Sequence, residues 1–229
     1  MPYNESIALQ SFNERLKQID ELLEAREILL KFNKVEQDLE KVKNLGKSSL
    51  NELPSLVTII TKIVDTLKST PSVGRREYSP IYSSSYVLLI AFFQGYIEDL
   101  YYEKGLLVLK KQFHNAPDEE LKKILKSLKP TRSNPYSEII NKYFANIGIY
   151  QIMDGICWKK QANKTITDRL KKSMEIRNQI SHGSPNITLK KQGQPDEIIE
   201  INKQHINNLK DFLSKLAQEL DKKVSSYIV

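Results

Sequence analysis

The apolar positions of this chain recur at helical spacing over most of its length. Leu9, Phe12, Leu16, Ile19 and Leu23 alternate steps of three and four, and after a phase slip Ile28, Phe32, Val35, Leu39 and Val42 resume the pattern. Because a helix turns once every 3.6 residues, such a row falls on one face. Residues 4–45 contain neither Pro nor Gly, so the spacing predicts one long helix with a stutter near Ala25, or a tight helical hairpin. Pro54 suits a first helical turn, and a helix from there to about Leu67 would bury Leu56, Ile59, Ile60, Ile63 and Leu67. Ser69–Ser85, with Pro71, Gly74, Pro80 and several serines, reads as a loop or linker.

Residues 86–112 predict the most apolar helix, with Val87, Leu88, Ile90, Ala91, Phe93, Ile97, Leu100 and Leu107 spread around much of its circumference. A helix apolar on nearly all sides belongs at the centre of a core. Two shorter helices are expected at 118–128 and 136–147, divided by Pro130 and Pro135. Thr165–Ser181 is amphipathic through Ile166, Leu170, Met174 and Ile176, and Gly183 with Pro185 forms its stop signal. Ile187–Lys190 and Glu197–Ile201, flanking Gly193 and Pro195, can pair as one small β-hairpin. A last helix from Lys203 to about Lys222 buries Ile206, Leu209, Phe212, Leu213, Leu216 and Leu220. The expected class is all-α, with no internal repeat.

Composition narrows the function classes. The longest unbroken apolar run, Tyr86–Phe93, is far short of the ~20 residues that span a bilayer, and the N-terminus lacks a basic start followed by a hydrophobic stretch. A single cysteine, Cys157, excludes an internal disulfide framework and a cysteine-based metal site, and fits a reducing compartment. A cytoplasmic location is expected. The net charge of +7 is unevenly spread: Ile156–Lys191 holds nine bases, among them Lys159, Lys160, Lys164, Arg169, Lys171 and Lys172, against Asp168 and Glu175. Lys122, Lys123, Lys126, Lys129 and Arg132 form a second basic stretch without acids. Clustered positive charge attracts polyanions through counterion release, which makes nucleic acid a candidate partner; a solvated lysine-rich face is the plainer alternative.

Two chemical signals fail on inspection. Gly46-Lys47-Ser48 ends like a phosphate-binding loop, but the glycine required five positions earlier is Lys41. His114, His182 and His205 have no His or Cys partner at metal-ligand spacing, so no metal and no cofactor is expected. What remains is Arg177-Asn178-Gln179-Ile180-Ser181-His182-Gly183. Asn178 and His182, four apart, share one helix face, and the long Arg177 side chain can reach the same space. Gly183 should end the helix in a left-handed turn and leave the imidazole at an accessible tip. An Arg, an amide and a His converging there suit a phosphate, with one group titrating near neutral pH. Alternatively, Asn178 and His182 satisfy backbone groups at the helix end while Arg177 pairs with an acid such as Glu175.

This segment resembles the HEPN superfamily (higher eukaryotes and prokaryotes nucleotide-binding domains), whose hallmark is Arg, commonly followed by Asn, with His four to six residues on. Ser85–Gly105, SYVLLIAFFQGYIEDLYYEKG, is similar to the first core helix of its small bacterial branch. The resemblance covers roughly residues 80–225 and implies an all-α HEPN-like bundle there, with residues 1–70 as an N-terminal helical extension. It implies a metal-independent endoribonuclease that works as a homodimer, in a toxin–antitoxin or phage-defence setting with an antitoxin or other protein partner. Arg177, Asn178 and His182 would then be the catalytic residues, and Lys159, Lys160, Lys164, Arg169, Lys171 and Lys172 the rail for RNA. Many members carry an auxiliary Glu where this chain has Gln94; Glu98 or Asp99, one turn on, are the candidates to replace it. The superfamily also includes modules that bind RNA or a nucleotide without cutting it. A helical interaction scaffold is a third reading.

Overall fold

A computed structural model describes residues 4–45, 79–130, 134–158, 161–184, 187–189 and 197–227. Among them lie six helices and one two-stranded sheet: α1 (Ile7–Leu45), α2 (Ser79–Gln112), α3 (Asp118–Leu128), α4 (Ser137–Ala145), α5 (Asn163–Ser181), β1 (Ile187–Leu189), β2 (Glu197–Ile199) and α6 (Lys203–Ser226). The strands are antiparallel, with Ile187 opposite Ile199 and Thr188 opposite Ile198. The expected all-α class with one small hairpin is therefore the architecture found. The expected helix beginning at Pro54, the Gly46-Lys47-Ser48 junction, Lys159, Lys160, Arg132, Lys190 and Lys191 lie outside the described residues, as do the side chains of Phe32, Val35, Leu39 and Val42.

Residues 7–45 form one continuous helix rather than a hairpin. Its first half is buried on the row read from the sequence: Leu9, Phe12, Leu16, Ile19 and Leu23 are all core residues. Phe12 packs its ring 5.3 Å from Tyr96 and edge-on at 6.1 Å from Phe93, both on α2. The helix start is pinned at three points. Ser6 Oγ accepts from the Leu9 amide at 3.0 Å, Asp221 of α6 accepts from the Ser6 amide, and Glu103 of α2 accepts from the Ala8 amide. These acceptors satisfy amides that have no partner within the helix, and the two carboxylates meet the positive end of its dipole.

α2 is the hub, touching each of the other five helices. It begins seven residues earlier than the sequence suggests, because Ser79–Ser85 is helical and not loop. Pro80 is tolerated in the first turn, where its missing amide hydrogen forfeits no helical bond. Tyr82 and Tyr86, four apart, are both buried, and the Arg26 guanidinium lies 4.0 Å over the Tyr82 ring. Tertiary burial of two aromatic rings thus outweighs the weak helix preference of the serine run. Farther along α2, the Tyr96 hydroxyl donates to the Ala217 carbonyl of α6 at 2.7 Å, and the Tyr101 hydroxyl to the Leu125 carbonyl of α3 at 3.0 Å. Gly105 lets α3 approach: a Cβ there would lie 2.6 Å from Leu125 Cδ2.

Candidate functional site

The site is built at the C-terminal end of α5. Ile166, Leu170, Ser173, Met174 and Ile176 form the buried stripe of that helix. Arg177 follows Ser173 and Leu170 by four and seven residues, so it falls on the edge of this stripe and is half-buried. The helix then stops as its sequence requires. Gly183 adopts φ +66°, its amide donates to the Ile180 carbonyl, and the Ser184 amide reaches back to the Gln179 carbonyl, both at 3.0 Å. This pair of bonds is a Schellman closure, and it needs the left-handed residue that glycine supplies without strain. His182, the C-cap at φ −89° and ψ 4°, is exposed, and its ring makes no hydrogen bond to a described residue.

One turn back, three side chains meet. Arg177 Nη1 donates to Asn178 Oδ1 at 3.3 Å, and Asn134 Nδ2 donates to the same oxygen at 2.8 Å. The Arg177 Nε is buried without a hydrogen-bond partner among the described residues. No described carboxylate pairs with Arg177, so the alternative pairing with Glu175 is not formed. A buried guanidinium N–H left unsatisfied is costly unless something supplies an acceptor. Together the cluster offers donors and no acid, an arrangement suited to an oxyanion.

The other sequence candidates are placed less simply. Gln94 is half-buried in α2 and makes no hydrogen bond to a described residue. Glu98 is engaged by Lys129 at 2.6 Å and lies 3.5 Å from the Tyr143 hydroxyl; burial first, then the Glu98 charge, pushes that phenol up to about 12. Asp99 is paired with Arg15 of α1 at 3.1 Å. Neither acid is hydrogen-bonded to the Arg177–Asn178 cluster. Arg169 is turned toward α6, where its guanidinium donates to the Asn208 carbonyl at 2.7 Å and covers the Phe212 ring at 4.5 Å. Lys164, Lys171 and Lys172 are exposed on α5, but Asp168 on the same helix is exposed as well and Glu175 half-exposed. The outer face of α5 is therefore only weakly basic.

Two participants were not read from the sequence. Asn134 lies in the connection between α3 and α4, beside the buried Pro135, and its polar neighbours give no hint of a partner forty-four residues away. Gln179 stands inside the motif, yet its role is structural: its Nε2 donates to the Thr188 carbonyl and its Oε1 accepts from the Thr188 amide, both at 2.7 Å. This two-bond clamp fastens the β-hairpin to the end of α5. Gln179→Ala should cost on the order of 1–3 kcal/mol by leaving the Thr188 backbone unpaired. The check is hydrogen exchange at the Thr188 amide together with thermal melting; unchanged protection would remove the clamp from the account.

No helix among the described residues is long and apolar enough to cross a membrane, and no group of His, Cys, Asp or Glu among them is arranged to hold a metal ion. Neither the curated proteins nor the solved structures yield a significant match to the chain. A family model does match: the RiboL-PSP-HEPN model spans residues 51–226, which takes in α2 through α6 and the whole Arg177–His182 segment. With the match covering more than half of the chain and the fold all-α, the chain belongs to the RiboL-PSP-HEPN family of the HEPN superfamily.

Proposed function

We propose that this protein is a metal-independent endoribonuclease, with Arg177, Asn178 and His182 as its catalytic residues. The observation that carries the reading is the pairing of an exposed helix-tip imidazole with a half-buried Arg–Asn donor cluster one turn behind it. A scissile phosphate bound to Arg177 and Asn178 would lie within reach of chemistry at His182. In that reaction the ribose 2′-oxygen attacks the adjacent phosphorus and its proton passes to a neutral imidazole. The P–O5′ bond breaks, and the departing 5′-oxygen takes a proton from an imidazolium. The products are a 2′,3′-cyclic phosphate and a 5′-hydroxyl. Acid and base are both required, and each chain contributes one helix-tip His182. A homodimer that faces two such segments across a twofold axis supplies both from the same surface patch.

Family membership supports an RNA-related module, and the toxin–antitoxin or phage-defence setting, with a protein partner such as an antitoxin, is part of the same proposal. The exposed Lys164, Lys171 and Lys172 support an electrostatic approach for RNA. A second reading, RNA or nucleotide binding without cleavage, is favoured by the prior engagement of Glu98 and Asp99 in ion pairs. The deciding experiment incubates purified protein in EDTA with a single-stranded RNA and the equivalent DNA. Cleavage of the RNA alone, with cyclic-phosphate ends and a dimer in sedimentation, is the expected result. Binding of both nucleic acids with no cut in either would establish the second reading instead.

A further inference from the structure

The orientation of the Asn178 amide is set from two sides. A guanidinium has donors and no acceptor, so the Asn178 atom that Arg177 Nη1 meets at 3.3 Å must be the carbonyl oxygen. Asn134, which approaches the same oxygen at 2.8 Å, must then present its own Nδ2. With both donors on Oδ1, a flip of the Asn178 amide sets its Nδ2 against the Arg177 N–H, and a flip of Asn134 alone sets two amide oxygens against each other. The two hydrogens of Asn178 Nδ2 are consequently reserved for an acceptor outside the trio; among the described residues Nδ2 has no hydrogen-bond partner. Asn134 is itself held in place. The Tyr136 amide donates to the Asn134 carbonyl at 2.8 Å, closing a tight turn around Pro135, and the Pro135 ring is buried. Five residues earlier on the same connection, Lys129 is anchored to Glu98 of α2.

We infer that Asn134 is a positioning residue that locks the Asn178 amide with its N–H donors outward, as a ready-made contact for a phosphate oxygen. This rests on the oxyanion reading of the Arg177–Asn178 cluster and goes beyond it by assigning a role to the α3–α4 connection. The cluster then differs from an ordinary helix end in having its polarity fixed before any ligand arrives. Preorganised donors of this kind cost no reorientation when charge develops on the phosphate.

The test uses the full-length chain with Asn134→Ala and the isosteric Asn134→Asp, each checked for unchanged helicity and melting. If Asn134 fixes the amide, Asn134→Ala lowers kcat for RNA on the order of 10²-fold while KM moves far less, as misplacement of a reacting contact does. Asn134→Asp, which replaces the donor by an acceptor of the same shape, is at least as damaging; a space-filling role would tolerate it. In an Asn178→Ala background, Asn134→Ala adds no further loss, because its effect runs through Asn178. Full activity in Asn134→Ala, or an equal loss in both backgrounds, overturns the inference. A readout independent of cleavage is the side-chain amide NMR signal of Asn178, identified by its disappearance in Asn178→Ala and titrated with inorganic phosphate. Its shift on titration should shrink severalfold in Asn134→Ala. If the wild type cuts no RNA, the nuclease reading falls and this titration alone decides: a reduced shift supports the positioning role, and identical shifts refute it.

Discussion

His182→Ala is expected to abolish cleavage of single-stranded RNA while leaving the fold intact. The residue is an exposed C-cap ahead of Gly183, so its side chain contributes little packing, and the helix end is closed by backbone bonds of Gly183 and Ser184. What the substitution removes is the single titratable group of the site, and general acid–base catalysis of this kind contributes typically ~10²–10⁴-fold. In a dimer both catalytic protons are lost at once, which places the expected effect at the upper end. Arg177→Ala should be nearly as damaging, on the order of 10²–10³-fold, because it takes away the fixed charge and the donors that the nuclease proposal assigns to the phosphate. Its half-buried position predicts a measurable loss of stability as well, so Arg177→Lys is the cleaner companion: charge is retained and the planar fork is lost. The assay compares wild type and variants on RNA and DNA, with circular dichroism and melting as controls. A folded His182 variant that cuts as well as wild type would falsify the nuclease proposal.

The second large effect concerns α1, all of which precedes the residues matched by the family model. Phe12→Ala should destabilise the whole protein by about 3–5 kcal/mol, the usual cost of emptying an aromatic site in a packed core. Phe12 is fully buried and shares a ring cluster with Phe93 and Tyr96 of the central helix. Against a total stability of ~5–15 kcal/mol, that is a large fraction. If α1 were a loosely appended arm, the substitution would leave the melting of the remainder nearly unchanged. A single cooperative transition, shifted to lower temperature, is the expected observation. Removing residues 1–45 should be worse still, since it uncovers the α2 face that carries Phe93, Tyr96 and Leu89 and strips Asp221 of its Ser6 partner. Such a chain is expected to aggregate rather than fold.

Helical periodicity by itself located the helices among the described residues, because burial of one face per 3.6 residues is a local requirement that each helix must meet. The α1 row from Leu9 to Leu23, the Gly183 stop and the short hairpin after it were all legible for that reason. So was the accessible tip at His182, since a glycine that must take positive φ leaves the preceding residue at the end of the helix. The boundary of α2 was not, because Ser79–Ser85 has the composition of a linker and becomes helical only through the burial of Tyr82 and Tyr86 against other parts of the chain. The same limit governs the site. Acids that a one-dimensional reading offers as auxiliaries, Glu98 and Asp99, point to partners on α1 and after α3 that no local pattern announces. Arg169 belongs with the basic residues in composition but with the α6 packing in space. Asn134 reaches Asn178 across forty-four residues, and a hydrogen bond between two amides leaves no periodic trace in either segment. Spacing along a chain reports which face a residue occupies, whereas the identity of what lies opposite that face is decided only when the helices pack.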